Sequence, residues 1–347
     1  MKNRDNKKET VGMGGCENAG VGSTGSSRRH KTKKTAGIAL AVIAIAVVAG
    51  AVAGVVGLRQ PTANGAEVRV DVPEGTPYPA LCDSLEARGV LRGRTAFGLM
   101  ARALGLDRGV RAGSYVVGPH TRMLTLVRKL RNGQQDPMRL TIGKFRLPGQ
   151  LNEYLNSKLM HDDFDFRLDN FHTVLPDTYE VYWTVSPKQL EERMMREYER
   201  YRKGKDFKEM QGVRDFRDVV ILASIVEEET NYGPEKPLIA SVYLNRLRIG
   251  MPLQADPTVK YAVGDFGLRR ILNRHLAEES PFNTYLHAGL PPAPICLPSK
   301  ATIEAVLKAP ETKYLYFCAS PELNGTHRFA ATLGEHNRNA ADYHRAI

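Results

Sequence analysis

Val219–Val220–Ile221–Leu222–Ala223–Ser224–Ile225–Val226–Glu227–Glu228–Glu229–Thr230 is the stretch from which the fold can be read. It belongs to an expected helix over Asp215–Thr230. A helix apolar on most of its surface must be enclosed by other elements, so a sizeable domain has to surround it. Three consecutive carboxylates close it. Positions i, i+3, i+4 and i+7 of a helix share a face. Glu229 therefore continues the stripe of Leu222, Ile225 and Val226. Glu227 falls above Val220, Ala223 and Ser224, and Glu228 above Ile221, Ser224 and Ile225. A carboxyl on an apolar stripe is disfavoured as an anion by desolvation. At a helix C-terminus the negative end of the dipole adds to that, as does a neighbouring carboxylate. Such a group suits a general acid. The competing reading makes all three solvated helix-end residues, or pairs one with Arg246 or Arg248.

Downstream, a helix over Pro237–Leu247 precedes a Pro-rich and mostly irregular region, 251–300. It contains Gln254–Ala255–Asp256–Pro257–Thr258, Ser280–Pro281–Phe282–Asn283–Thr284–Tyr285 and Gly289–Leu290–Pro291–Pro292. Amide, hydroxyl and aromatic groups held by prolines are the usual lining of a carbohydrate groove. Each is also an ordinary turn or cap residue, a reading that stays open for Asp256 and Thr258. Tyr314–Cys318 reads as a strand and Asn339–Ala346 as a last helix.

Upstream, alternation predicts strands at Val68–Val72, Gly113–Val117 and Met138–Ile142. Helical spacing appears at Tyr78–Arg88, Thr95–Leu104, Met123–Leu130, Leu151–Met160 and Pro187–Arg202. Leu175–Tyr179 reads as a tight turn. Strands and helices mix without a βαβ period, which predicts an α+β fold. The expected organisation is a small α/β module at 62–135 and a larger mixed domain at 138–347.

Thr35–Leu58 is 24 residues without a charge. At ~1.5 Å per residue it would span about 36 Å, enough to cross a bilayer and too long for a cleaved signal core. Arg28, Arg29, Lys31, Lys33 and Lys34 precede it and only Arg59 follows closely. The positive-inside rule then puts a disordered basic tail, 1–34, in the cytoplasm and residues 60–347 outside. The formal charge of +11 on 347 residues follows the same geography. Residues 1–34 carry nine Lys/Arg and three Asp/Glu, a net of +6, and Arg59 adds one, so +4 remains for 60–347. The basicity is explained by the membrane and needs no nucleic acid. Four cysteines at wide spacing show neither a disulfide framework nor a metal pattern, and the nine histidines form no ligand spacing. No metal and no cofactor are expected.

The blocks ASIVEEET, SVYLNRLRIGMPLQADPTVKYAVG, SPFNTYLHAGLPPAPI, YLYF and HRFAATLGEHNRN, from Ala223 to Asn339, resemble the MltG/YceG-like endolytic murein transglycosylases in order and spacing. LPDTYEV (Leu175–Val181) resembles that family's PDT block, and an anchor followed by a LysM-like module matches as well. Two departures stand out. The family's GLPPGPI reads GLPPAPI, with Ala293 for Gly, and its NPG reads Leu297–Pro298–Ser299.

The resemblance implies a membrane-anchored lyase. It would cleave the β-1,4 bond from N-acetylmuramic acid to N-acetylglucosamine within nascent peptidoglycan strands, leave 1,6-anhydro-muramyl ends and so end strand elongation. It places the essential acid on Glu229. With the loop reading it makes Glu227, Asn245, Gln254, Asp256, Thr258, Asn283 and Tyr285 candidate substrate-binding residues. Peptidoglycan and membrane-bound glycan synthases are the implied partners. A muramidase would need a second carboxylate, such as Asp177 or Asp256, because Glu227 points ~200° away from Glu229 at ~100° per residue. A catalytically inactive glycan-binding scaffold is the third reading.

Overall fold

A computed structural model describes residues 40–48 and 66–347, except 92, 206 and 208–211. Contacts divide the chain into two units, 1–60 and 61–347. In the first, residues 40–48 form a helix, α1, whose large apolar side chains are exposed. The rest of the expected span and the basic tail lie outside the described residues. Among the described residues no helix is long and apolar enough to cross a membrane.

The second unit is a mixed α+β structure whose described residues form three two-stranded antiparallel sheets and three apolar clusters. It begins with β1 (Val68–Val72), α2 (Tyr78–Ala87), α3 (Arg94–Leu104), β2 (Gly113–Val117) and α4 (Met123–Asn132). β1 and β2 pair with Val70 opposite Tyr115, and both side chains are fully buried against Leu81, Phe97 and Leu126. α4 stops at Gly133, whose φ of +67° is left-handed and is met without strain only by glycine.

β3 (Met138–Ile142), α5 (Pro148–Lys158), β4 (Asp177–Val181) and α6 (Pro187–Lys203) enclose a second cluster. Ser186 caps α6, with Gln189 reaching back to it. The expected turn at Leu175–Tyr179 is instead the entry to β4. Tyr179 pairs with Leu140, while Thr178 and Glu180 face outward. Pro176 and Asp177 are turn formers by composition, and only pairing with β3 makes a strand of the residues from Asp177 on.

α7 (Phe216–Glu229), α8 (Lys236–Arg248), α9 (Asp256–Val263) and α11 (Lys300–Leu307) contribute to the third cluster, and the short α10 (Asn273–Leu276) lies in the chain between α9 and α11. β5 (Tyr316–Ala319), β6 (His327–Ala330) and α12 (Leu333–Ala346) complete the chain. α7 is its axis. Asp215 caps it through the Asp218 amide at 3.0 Å, and Phe216 and Val219 to Val226 are all buried. The region read as irregular, 251–300, holds α9 and α10, and α11 begins at its last residue. α9 is started by Pro257 in its first turn and stopped by Gly264 at φ +76°. α11, not expected from the sequence, starts at the Ser299 cap. The strand expected at Tyr314 begins at Tyr316, where pairing with Ala330 starts, and α12 begins at Leu333 behind its Thr332 cap, six residues before the expected Asn339. Cys82 and Cys296 are buried thiols and Cys318 is a half-buried one.

Candidate active site

The three carboxylates at the end of α7 leave it in different directions and meet different partners. Glu227 accepts from Lys236 Nζ at 2.9 Å, from Ser299 Oγ at 3.0 Å and from the Thr302 hydroxyl. Burial alone would raise its pKa, but these donors outweigh burial and hold it below the ordinary value. Glu228 takes Arg146 as a fork, at 2.9 and 3.2 Å, and Lys144 at 3.1 Å. It too is held low against its burial. No ion pair joins any of the three to Arg246 or Arg248.

Among the described residues Glu229 has no cationic partner in contact. Its Oε1 accepts from the Tyr243 hydroxyl on α8. Desolvation pushes its pKa up to about 7. Tyr243, Lys260 and Arg246 pull it down and Asp256 pushes it further up. The carboxylate that presses on Glu229 is thus Asp256. The neighbours Glu227 and Glu228, expected to do so, are neutralised by Lys236, Arg146 and Lys144.

Glu229 lines a cavity of about 200 Å³ with Tyr243, Arg246, Leu253, Gln254, Asp256, Tyr285 and Phe317. Tyr243 is 1% exposed and is wedged edge-on against Phe317, with ring centres 5.9 Å apart. Across the cavity Tyr285 donates to Asp256 Oδ1 at 2.7 Å. Gln254 sits at φ +52°, a left-handed conformation that costs a non-glycine residue of order 1 kcal/mol and tends to cluster at functional sites. The 284 strap enforces it: Gln254 N donates to Thr284 O at 3.1 Å and Ala255 N to Thr284 Oγ1 at 3.0 Å.

The structure therefore brings Glu229, Gln254, Asp256 and Tyr285 to one cavity. It places the other expected residues elsewhere, because protein partners consume their polar groups. Glu227 is the ion pair described above. Asn245 Nδ2 clamps Thr312 O at 3.0 Å and Tyr314 O at 2.9 Å. Thr258 is fully buried, with its hydroxyl on Ala255 O at 2.7 Å and Thr284 Oγ1 at 2.8 Å. Asn283, also fully buried, ties down Leu276 O at 3.0 Å and Glu278 O at 2.9 Å. These three shape the loops that carry the cavity wall. Asp177 is paired with Lys300 and does not line the cavity.

Sequence reasoning missed Tyr243 as a partner of the acid. The available signal was a tyrosine inside the buried Ile239–Leu247 face, since a buried hydroxyl needs an acceptor. The two departures from the family pattern are accommodated. Ala293 is 3% exposed and has no positive φ, so no glycine conformation is required there. Ser299, at φ −63°, caps α11 and also binds Glu227.

Comparison with known proteins agrees with the blocks. A family model described as the YceG-like family matches residues 70–342. An endolytic murein transglycosylase of Bacillus subtilis is 43% identical over 125 residues, which is 36% of this chain and 34% of that protein. One from Streptococcus pneumoniae is 34% identical over 130 residues, 36% of this chain and 23% of that protein. The chain thus spans about a third or less of the length of the curated relatives it matches. A crystal structure of a yceG-like protein from Listeria monocytogenes aligns at a TM-score of 0.48 and 24% identity, over 79% of this chain and 99% of that chain.

Proposed function

The chain belongs to the YceG-like family, and on that premise we propose that it is an endolytic peptidoglycan lytic transglycosylase with Glu229 as its acid and base. It cleaves the β-1,4 bond between N-acetylmuramic acid and N-acetylglucosamine within nascent strands and thereby ends their elongation. One observation carries the reading. A carboxyl without a cationic contact, raised by burial to about 7, lines a cavity walled by aromatic and amide side chains.

In the protonated form Glu229 gives its proton to the glycosidic oxygen as the bond from muramic C1 to that oxygen breaks. The carboxylate it becomes takes the proton of the muramic C6 hydroxyl, whose oxygen closes on C1. The proton returns to Glu229, and no water is consumed. Tyr243 holds the carboxylate stage by its hydrogen bond, and burial holds the acid stage. A group poised near neutrality serves both. Residues 35–58 anchor the enzyme in the cell membrane with its N-terminus in the cytoplasm, and the β1–α4 region serves as a LysM-like module beside the emerging glycan.

Asp256 favours a second reading, a muramidase, because it lines the same cavity. Digestion of purified glycan strands, read by mass spectrometry, separates the two. Anhydro ends from wild type and none from Glu229→Gln are expected. Reducing ends, one water heavier, would favour the hydrolase. Full activity in Glu229→Gln with loss in Glu227→Gln would refute the assignment.

A further inference from the structure

Arg246 is built into the wall of this cavity in an unusual way. It is 8% exposed. Nε donates to Leu315 O at 2.7 Å, and Nη1 donates to Leu253 O at 2.6 Å and to Pro252 O at 3.4 Å. Its guanidinium carbon lies 5.4 Å from the centre of the Tyr316 ring. Two loops and β5 thus lock the group in one orientation. Among the described residues Nη2 meets no acceptor and Arg246 has no carboxylate within ion-pair distance. A guanidinium so deeply buried normally keeps a counter-charge, because the three backbone carbonyls take only the Nε and Nη1 hydrogens and leave its charge. Here that charge belongs to a side chain that lines the same cavity as Glu229 and acts on it electrostatically.

The proposed substrate supplies the matching acceptor. Its two sugars alternate through β-1,4 bonds of the same chemistry, and both carry an acetamido group. An acid alone cannot tell one bond from the other. They differ in the lactyl ether on the muramic sugar, which ends in a carboxylate on peptide-free strands and in an amide carbonyl on peptide-bearing ones. Both are acceptors for a guanidinium N–H, the carboxylate the stronger.

We infer that Arg246 is the specificity-determining residue that presents Nη2 to the lactyl oxygen of N-acetylmuramic acid and so selects which sugar lies on Glu229. The inference rests on the functional reading above. It is tested by binding in the full-length chain carrying Glu229→Gln, which keeps Arg246 and cannot turn over. A peptide-free tetrasaccharide of alternating N-acetylglucosamine and N-acetylmuramic acid is compared with the N-acetylglucosamine tetramer by calorimetry. The lactyl-bearing ligand should bind about tenfold tighter, the contribution of one charge-assisted hydrogen bond. Adding Arg246→Gln should bring the ratio to about one. Equal binding in the single variant overturns the inference without any change at Arg246, so it stands tested even if Arg246→Gln fails to fold. A preference that persists in a folded double variant overturns it as well. Binding of neither ligand overturns the functional reading and this inference with it.

Discussion

Glu229→Gln should stabilise the protein at alkaline pH and leave its stability unchanged at acid pH. The group titrates near 4.5 when unperturbed and at about 7 in the fold. Because the folded value is the higher, the native state binds more protons than the unfolded state between these two values. Stability from this group is fully present below pH ~4.5 and is lost as pH rises to about 7. About 2.5 pH units at 1.36 kcal/mol each set an upper figure of about 3 kcal/mol. Glutamine cannot ionise, fills nearly the same space, and can accept the Tyr243 hydroxyl with its amide oxygen. At pH 8 the variant should therefore be more stable than wild type by up to about 3 kcal/mol, and at pH 4.5 or below the two should nearly coincide. Urea unfolding at both pH values measures the difference directly. A variant equally or less stable than wild type at pH 8, or a gap of the same size at both pH values, would refute the claim that burial suppresses ionisation of this side chain. The measurement needs no substrate, so it tests the electrostatics apart from the chemistry.

Opposite shifts are expected from two neighbours of the acid. Tyr243→Phe removes a donor to the carboxylate and should move the alkaline limb of the kcat/KM profile up by about one pH unit. Asp256→Asn removes a repelling charge and should move the same limb down. Lys236→Met strands the Glu227 carboxylate with only hydroxyl donors and should cost about 3 kcal/mol in denaturant unfolding at neutral pH. Asn283→Ala releases the carbonyls of Leu276 and Glu278 and should cost about 2 kcal/mol, with the glycan product pattern unchanged.

Much of the local structure is legible in the chain. β1, β2 and β3 appear at their expected bounds, because alternation and turn residues act over a few positions. α7 lies one residue inside its expected ends, since Asp215 and Thr230 are its caps. β4 was not legible. The Pro176–Asp177 step that leads into it imitates a turn, and its pairing with β3 crosses the whole of α5. The same limit applies to Asn245, Thr258 and Asn283. As residue types they suit a sugar groove, and only their distant carbonyl and hydroxyl partners turn them inward.

By itself the order of residues determined that a greasy helix ends in three acids and which face each acid occupies, because helical geometry depends only on spacing within one element. It could not say which acid stays uncompensated. Lys236, Arg146 and Lys144 reach Glu227 and Glu228 from other elements, Arg146 from 82 positions away. Glu229 meets a tyrosine hydroxyl and a nearby Asp256 instead. Ionisation depends on charges and solvent within a few ångströms, and what lies that close is decided only when distant parts of the chain pack together.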